Sequence, residues 1–189
     1  MRTIFHFIAV SLDGYFEGIQ SDLSWHNTNN AEFQTFVHEQ NKSVDIVMMG
    51  HRTYDVMAAY WPTSETKRMD PITAQFMNES TKIVATHTPF DATWGPTSVV
   101  TDPVTILTEL KKRPGKDIAI LGSNMLTVSL LDTGLIDEYR IMTIPVAIGQ
   151  GTPLLSGIHK QVDLALKSVR QFDSGNVLHT YTHAAPAQS

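Results

Sequence analysis

I-V-M-M-G-H-R-T-Y-D, residues 46–55, decides how this chain is read. Asp45 to Met49 is a short apolar run of the kind that forms a strand covered on both faces, and Gly50 closes it. Thr53 is placed to cap a helix from Tyr54 to about Tyr60, which Trp61-Pro62 stops. A strand, a glycine turn and a helix start in immediate succession form the unit from which open α/β sheets are assembled. In such sheets ligands collect beyond the carboxyl ends of the strands, where helix N-termini present unpaired N–H groups.

The same unit recurs along the chain. A-I-L-G-S-N-M-L, residues 119–126, carries a buried strand (Asp117 to Leu121) through Gly122-Ser123-Asn124 into a helix with Met125, Leu126, Val128, Leu130 and Leu131, which Gly134 terminates. Ile4 to Val10 reads as the first buried strand, bounded by the turn former Asp13-Gly14, and Lys82 to Thr86 as the third. Ala31 to Ser43 places Phe33, Phe36 and Val37 on one helical face, with Asn29 or Asn30 as N-cap. Asp70-Pro71 and Asp102-Pro103 each put a capping residue before a proline at the first helical position. The second starts a stripe of Val104, Leu107 and Leu110 that ends at Pro114-Gly115, while Glu17 to Asn30 reads as a polar loop.

After Asp137 the pattern alternates like strands over Tyr139 to Val146, Val162 to Gln171 and Val177 to Thr182, with Asp173-Ser174-Gly175-Asn176 joining the last two as a hairpin. The expected fold is an α/β three-layer α-β-α sandwich: a mixed, mostly parallel sheet closed by an antiparallel C-terminal hairpin. One domain is expected over residues 1–183, followed by a frayed tail at 184–189.

Composition narrows the function. The chain has 189 residues, no cysteine, and 14 Lys+Arg against 19 Asp+Glu, a net charge of -5. Absent cysteine removes disulfide scaffolds, thiolate nucleophiles and cysteine-ligated zinc. The negative balance is the wrong sign for a protein that neutralises phosphate backbones, so no nucleic-acid partner is expected. No apolar run approaches the roughly 18 residues of a membrane span, and the first strand lacks a secretory cleavage pattern, so no membrane partner and a cytoplasmic location are expected. The eight histidines show no H-E-x-x-H or H-x-H spacing, and no metal site is expected.

Gly50 to Thr53 and Gly122 to Asn124 form two turns suited to the pyrophosphate of a dinucleotide, since glycine lets an oxygen approach the backbone and first-turn amides donate to it. Glycine at such a junction is as often only a turn residue, and neither stretch is a P-loop or a full G-x-G-x-x-G. Met48, Met49, Met57 and Met125 read as core fillers. Trp25 and His26 either cover a substrate or plug the core.

The ordered set S-L-D-G-Y-F (11–16), M-G-H-R-T-Y-D (49–55), K-I-V-A-T (82–86), A-I-L-G-S (119–123), G-L-I-D-E-Y (134–139) and P-V-A-I-G-Q-G-T-P-L (145–154) resembles the dihydrofolate-reductase-like superfamily. Within it the chain is most similar to free-standing relatives of the RibD C-terminal reductase domain of riboflavin biosynthesis. The resemblance implies NADPH as hydride donor and a small heterocyclic or imine-like substrate beside the first long helix, as in 5-amino-6-(5-phosphoribosylamino)uracil reduction. It maps the cofactor-binding turn onto Gly50, His51, Arg52 and Thr53, the adenosine-side strand end onto Thr86 and His87, and the second glycine turn onto Gly122, Ser123 and Asn124. It also lays Val10 and Ser11 beside the nicotinamide. His51 stands where relatives commonly have arginine, and Ser123 where glycine is frequent. A neutral histidine holds a 2'-phosphate less firmly than a guanidinium, which leaves Arg52 as the compensating cation.

Hydride transfer requires a proton source, and two carboxylates are candidates. Glu32, near the start of the first long helix, is the positional counterpart of the superfamily's acid; with Asn29 as N-cap it would equally complete a capping box. Asp13 is the second candidate, or an ordinary turn residue before Gly14. A pterin reductase and a non-catalytic NADP(H) sensor remain as alternative functions. A homodimer is expected, with Val162, Leu164 and Leu166 available to a shared surface.

Overall fold

A computed structural model describes residues 2–26 and 30–184. Its centre is β1 (Ile4–Ser11), paired in parallel on one side with β6 (Asp117–Leu121) and on the other with β7 (Glu138–Ile144). Beyond β6 lie β3 (Val44–Gly50), β4 (Thr81–Ala85) and β5 (Thr97–Val100), all parallel. Beyond β7 the direction reverses in β10 (Val177–His183), which pairs with the outer strand β9 (Leu164–Gln171). The eight-stranded order is β5-β4-β3-β6-β1-β7-β10-β9. The mixed, mostly parallel sheet and its antiparallel hairpin are as the sequence predicts.

Alternation along the strands divides the core into two faces. Ile4, Met48, Ile118 and Ile120 pack with Leu107 of α5 (Pro103–Lys112) and with Leu126 and Leu130 of α6 (Asn124–Leu130). Their neighbours Phe5, Val47, Met49 and Ala119 pack with Tyr54 of α2 (His51–Tyr60) and Met77 of α4 (Pro71–Glu79). On β1 and β7, Ala9, Met142 and Ile144 join Phe172 against Phe33 and Phe36 of α1 (Ala31–Lys42), with Trp25 packed on the same cluster.

Several local expectations are corrected. α2 begins at His51 with Gly50 as its N-cap, because the Thr53 hydroxyl is drawn to Ser123 and does not cap the helix. Asn30 caps α1 by accepting from the Phe33 amide, so Glu32 falls at the second helical position and forms no capping box. Glu17 to Asn30 is not all loop: β2 (Tyr15–Glu17) pairs with β8 (Thr152–Pro153), and a short 3-10 turn follows at Ile19–Ser21. A helix absent from the sequence reading, α3 (Ser64–Met69), precedes α4. Met125 is no core filler but 74% exposed. Ala184 donates its amide to the Asp163 carbonyl and so continues the sheet, while the remainder of the expected frayed tail lies outside the described residues. Among the described residues no helix is long and apolar enough to cross a membrane.

Candidate functional site

The carboxyl ends of β3 and β6 bring the two glycine turns together. Gly50 donates its amide to Ser123 Oγ at 2.6 Å, and the Thr53 and Ser123 hydroxyls are 2.7 Å apart. A Cβ added at Gly50 would lie 3.2 Å from Ser123 Oγ, and one added at Gly122 would lie 3.5 Å from the Thr53 methyl. The two turns therefore touch, and α2 and α6 start on either side of the contact.

Each turn is fixed from below. The Gly122 amide donates to the Phe7 carbonyl, extending the β6–β1 ladder. His6, fully buried in β1, places Nε2 3.1 Å from the Gly122 carbonyl oxygen. Since that oxygen only accepts, Nε2 carries the proton, and burial lowers the imidazole pKa to about 4 and keeps it neutral. On the other side the buried Tyr54 hydroxyl accepts from the Trp94 amide at 2.7 Å, tying α2 to the loop before β5.

The remaining sequence candidates divide between this contact and its surroundings. Thr86 and His87 follow Ala85, the residue paired with Gly50, and so lie at the same end of the sheet. His51 stacks on Phe90 at 4.0 Å between centroids and approaches Asp55 at 3.4 Å. Asn124 is turned away: buried, it donates to Ser156 and accepts from the Leu155 amide at 2.6 Å, holding the loop after β8. Val10 is buried in β1 opposite Thr143 of β7.

Arg52 points along the cleft toward a residue that sequence reasoning missed. Its guanidinium reaches the Glu17 carboxylate at 3.1 Å and also donates to the Ser21 hydroxyl. Glu17 accepts in addition from Thr152 Oγ1 at 2.7 Å. These residues, with Gly18 to Gln20, Gln150 and Gly151, line a cavity of about 490 Å³. Nothing in a polar loop distinguishes Glu17 by sequence, because its partners are supplied by α2 and β8.

The two carboxylates considered as proton sources are not among the residues that line this cavity. Glu32 accepts from the Asp173 amide at 2.7 Å through one oxygen and faces Arg170 at 3.3 Å with the other. It sits beside an aromatic group in which Phe33, Phe36 and Phe172 lie within 6.2 Å of one another. Asp13 accepts from the Gly149 amide at 2.7 Å and the Ile148 amide at 3.2 Å. A hydrogen bond from Ser11 and those two amides hold its carboxyl below the usual range, and it clasps the first turn to the loop after β7.

Comparison with known proteins agrees with this architecture. The family model of the RibD C-terminal domain matches residues 2–178. The protein YyaP of Bacillus subtilis (strain 168) is 27% identical over 181 residues, covering 95% of this chain and 94% of its own. Among solved structures, a putative riboflavin biosynthesis protein from Shewanella sp. PV-4 superposes with a TM-score of 0.74 at 23% identity, over 97% of this chain and 99% of the other. Dihydrofolate reductase from Enterococcus faecalis, solved with NADP(H), gives 0.63 at 15% identity, over 97% of both chains. The last two likenesses establish the fold: a dihydrofolate-reductase-like α/β sandwich.

Proposed function

From the premise that this chain belongs to the RibD C-terminal domain family, we propose that it is an NADPH-dependent reductase acting on a small heterocyclic or imine-like substrate. The observation that carries this reading is the 2.6 Å contact between the Gly50 amide and Ser123, which joins two glycine turns and their helix starts into one anion-binding edge. A side chain at Gly50 would crowd that edge and one at Gly122 would be strained by its φ of +56°, and the first-turn amides of α2 and α6 are the donors a diphosphate needs. NADPH, when bound, supplies the hydride. Arg52 and His51 supply the charge and the stacking surface for its adenosine end, with Thr86 and His87 beside them, and the buried Val10 backs the nicotinamide end of β1.

Hydride arrival on a carbon–nitrogen double bond leaves an electron pair on nitrogen, which a proton must neutralise. We assign that proton to Glu32: it stands on α1 next to Phe33 and Phe36, whose rings, tilted 45° to each other, give a heterocycle an apolar surface to pack on. Asp13 is the second candidate, and in this reading its two amide contacts serve to hold the loop at Ile148 and Gly149. The test is a titration with NADPH followed by a search for substrate-dependent NADPH oxidation across flavin precursors, pterins and small carbonyl compounds.

One observation favours a second reading. Both Glu32 and Asp13 are committed to backbone amides, as a protein that senses NADP(H) without turnover would allow. Saturable binding with no oxidation across that panel selects the sensor, and turnover of pterins alone selects a folate-type reductase. The reading includes a cytoplasmic homodimer. Leu166 and Val169 are 57% and 53% exposed on β9, the outermost strand among the described residues, and a solution mass of one chain would remove the dimer from it.

A further inference from the structure

We infer that Ser123 is a positioning residue: its hydroxyl clasps the two glycine turns together and sets the gap into which a diphosphate fits. The inference rests on the coenzyme reading above and gives Ser123 a role within it, exerted through the opposite turn. Ser123 holds φ 61 and ψ 65, the left-handed region that a serine adopts only when its surroundings impose it. What imposes it here is visible: at this conformation Oγ reaches both the Gly50 amide and the Thr53 hydroxyl, across 73 and 70 residues of sequence.

The choice of amide matters. Gly50 is the N-cap of α2, so its N–H stands outside the set at His51, Arg52 and Thr53 that a helix start offers to an anion. A hydroxyl on the Gly50 amide therefore satisfies a donor that the phosphate has no use for and leaves the first-turn donors free. Thr53, gripped through its side chain, has its backbone amide held in register with them. The clasp fixes spacing without occupying the ligand's place, and the entropy of bringing two loops together is met before the ligand arrives.

Isothermal titration with two probes, NADPH and inorganic pyrophosphate, tests this on the full chain. Ser123→Ala, Ser123→Gly and Thr53→Val are each expected to weaken both probes about fivefold or more, the effect of one lost hydrogen bond. Thr53→Ser, which keeps the hydroxyl, stays within about twofold. Glycine suits the left-handed backbone, and that relief offsets the lost hydroxyl, so Ser123→Gly melts close to the parent. A binding loss there reports the missing hydroxyl and not a damaged fold.

Ser123→Ala and Ser123→Gly proteins that bind either probe as tightly as the parent, or more tightly, overturn the clasp and leave the coenzyme reading standing. If the parent binds pyrophosphate but not NADPH, and the variants lose the pyrophosphate, the clasp stands and the coenzyme reading falls. A parent that binds neither probe overturns both.

Discussion

His6 Nε2 lies 3.1 Å from the carbonyl oxygen of Gly122, joining the middle of the central strand to the second glycine turn. Nδ1 of the same ring has no hydrogen-bond partner among the described residues, so a second proton would be both buried and unpaired. Burial accordingly holds the pKa near 4, against the ordinary 6.5. The unfolded chain binds more protons than the folded one between those values, so stability falls as pH drops through that window. This one residue is worth about 2 kcal/mol between about pH 7 and about pH 5. Urea unfolding at the two pH values should show that slope in the parent and lose it in His6→Phe. An equal slope in both assigns the acid sensitivity to other groups.

Glu32→Gln separates chemistry from scaffolding. Glutamine keeps an oxygen for the Asp173 amide and forfeits the charge opposite Arg170. The expected outcome is a kcat lowered about tenfold or more, the scale of a lost general acid, with NADPH affinity within about twofold. An unchanged kcat makes Glu32 a strut between α1 and the β9–β10 hairpin, and moves the proton to Asp13 or solvent.

The division between what was readable and what was not follows sequence distance. The strands β1, β3, β4 and β6 were legible because a strand buried on both faces is mostly apolar, as Ile4–Ser11 is apart from His6 and Ser11, and Asp117–Leu121 apart from Asp117. β5, Thr97–Val100, escaped because it is a short edge strand with a mixed face, and β2 and β8 because Tyr15–Glu17 and Thr152–Pro153 become strands only by pairing with each other. α3 carries a single buried residue, Thr66, and so no apolar stripe. At the site, Gly50 and Gly122 announce themselves locally as junction glycines. That Ser123 would cap the other turn, or that Glu17 would face Arg52, is a property of chain crossings that no window of sequence contains.

Arg52 bears on coenzyme choice. Its side chain is 75% exposed, so its pair with Glu17 contributes at most about 1 kcal/mol to folding. With His51 stacked on Phe90, Arg52 is the cation left to recognise a 2'-phosphate. Arg52→Gln should lower the preference for NADPH over NADH about tenfold, read from the KM values for the two coenzymes, while the melting temperature barely moves. An unaltered preference places 2'-phosphate recognition on other residues.

Lys82 is a structural cation far from the proposed chemistry. Fully buried, it donates to the Met77 and Ser80 carbonyls, each at 2.8 Å, and lies 4.5 Å from the centre of the Trp94 ring. It thereby satisfies carbonyls at the end of α4 that would otherwise be buried unpaired. Lys82→Met preserves the bulk and removes the donors, at a cost of about 1.5–3 kcal/mol. Chemical denaturation should register that loss with coenzyme affinity unchanged, and a neutral result would mean that water satisfies those carbonyls.

Gly151 tests whether the small β2–β8 sheet shapes the cavity beside Arg52. Its φ is +157°, and a Cβ there would meet the Glu17 carbonyl oxygen at 2.1 Å, a distance no relaxation of side chains relieves because the obstacle is backbone. Gly151→Ala must therefore push β2 and β8 apart, at about 1–3 kcal/mol, the usual cost of overpacking. The displacement carries Glu17 with it, and Glu17 is the carboxylate that Arg52 and Thr152 both engage. Freed from that carboxylate, Arg52 is left available to an anionic ligand, so the variant should lose stability while its affinity for inorganic pyrophosphate holds or rises. If affinity falls along with stability, the Glu17 pairing is what aims Arg52, and the small sheet is part of the binding apparatus.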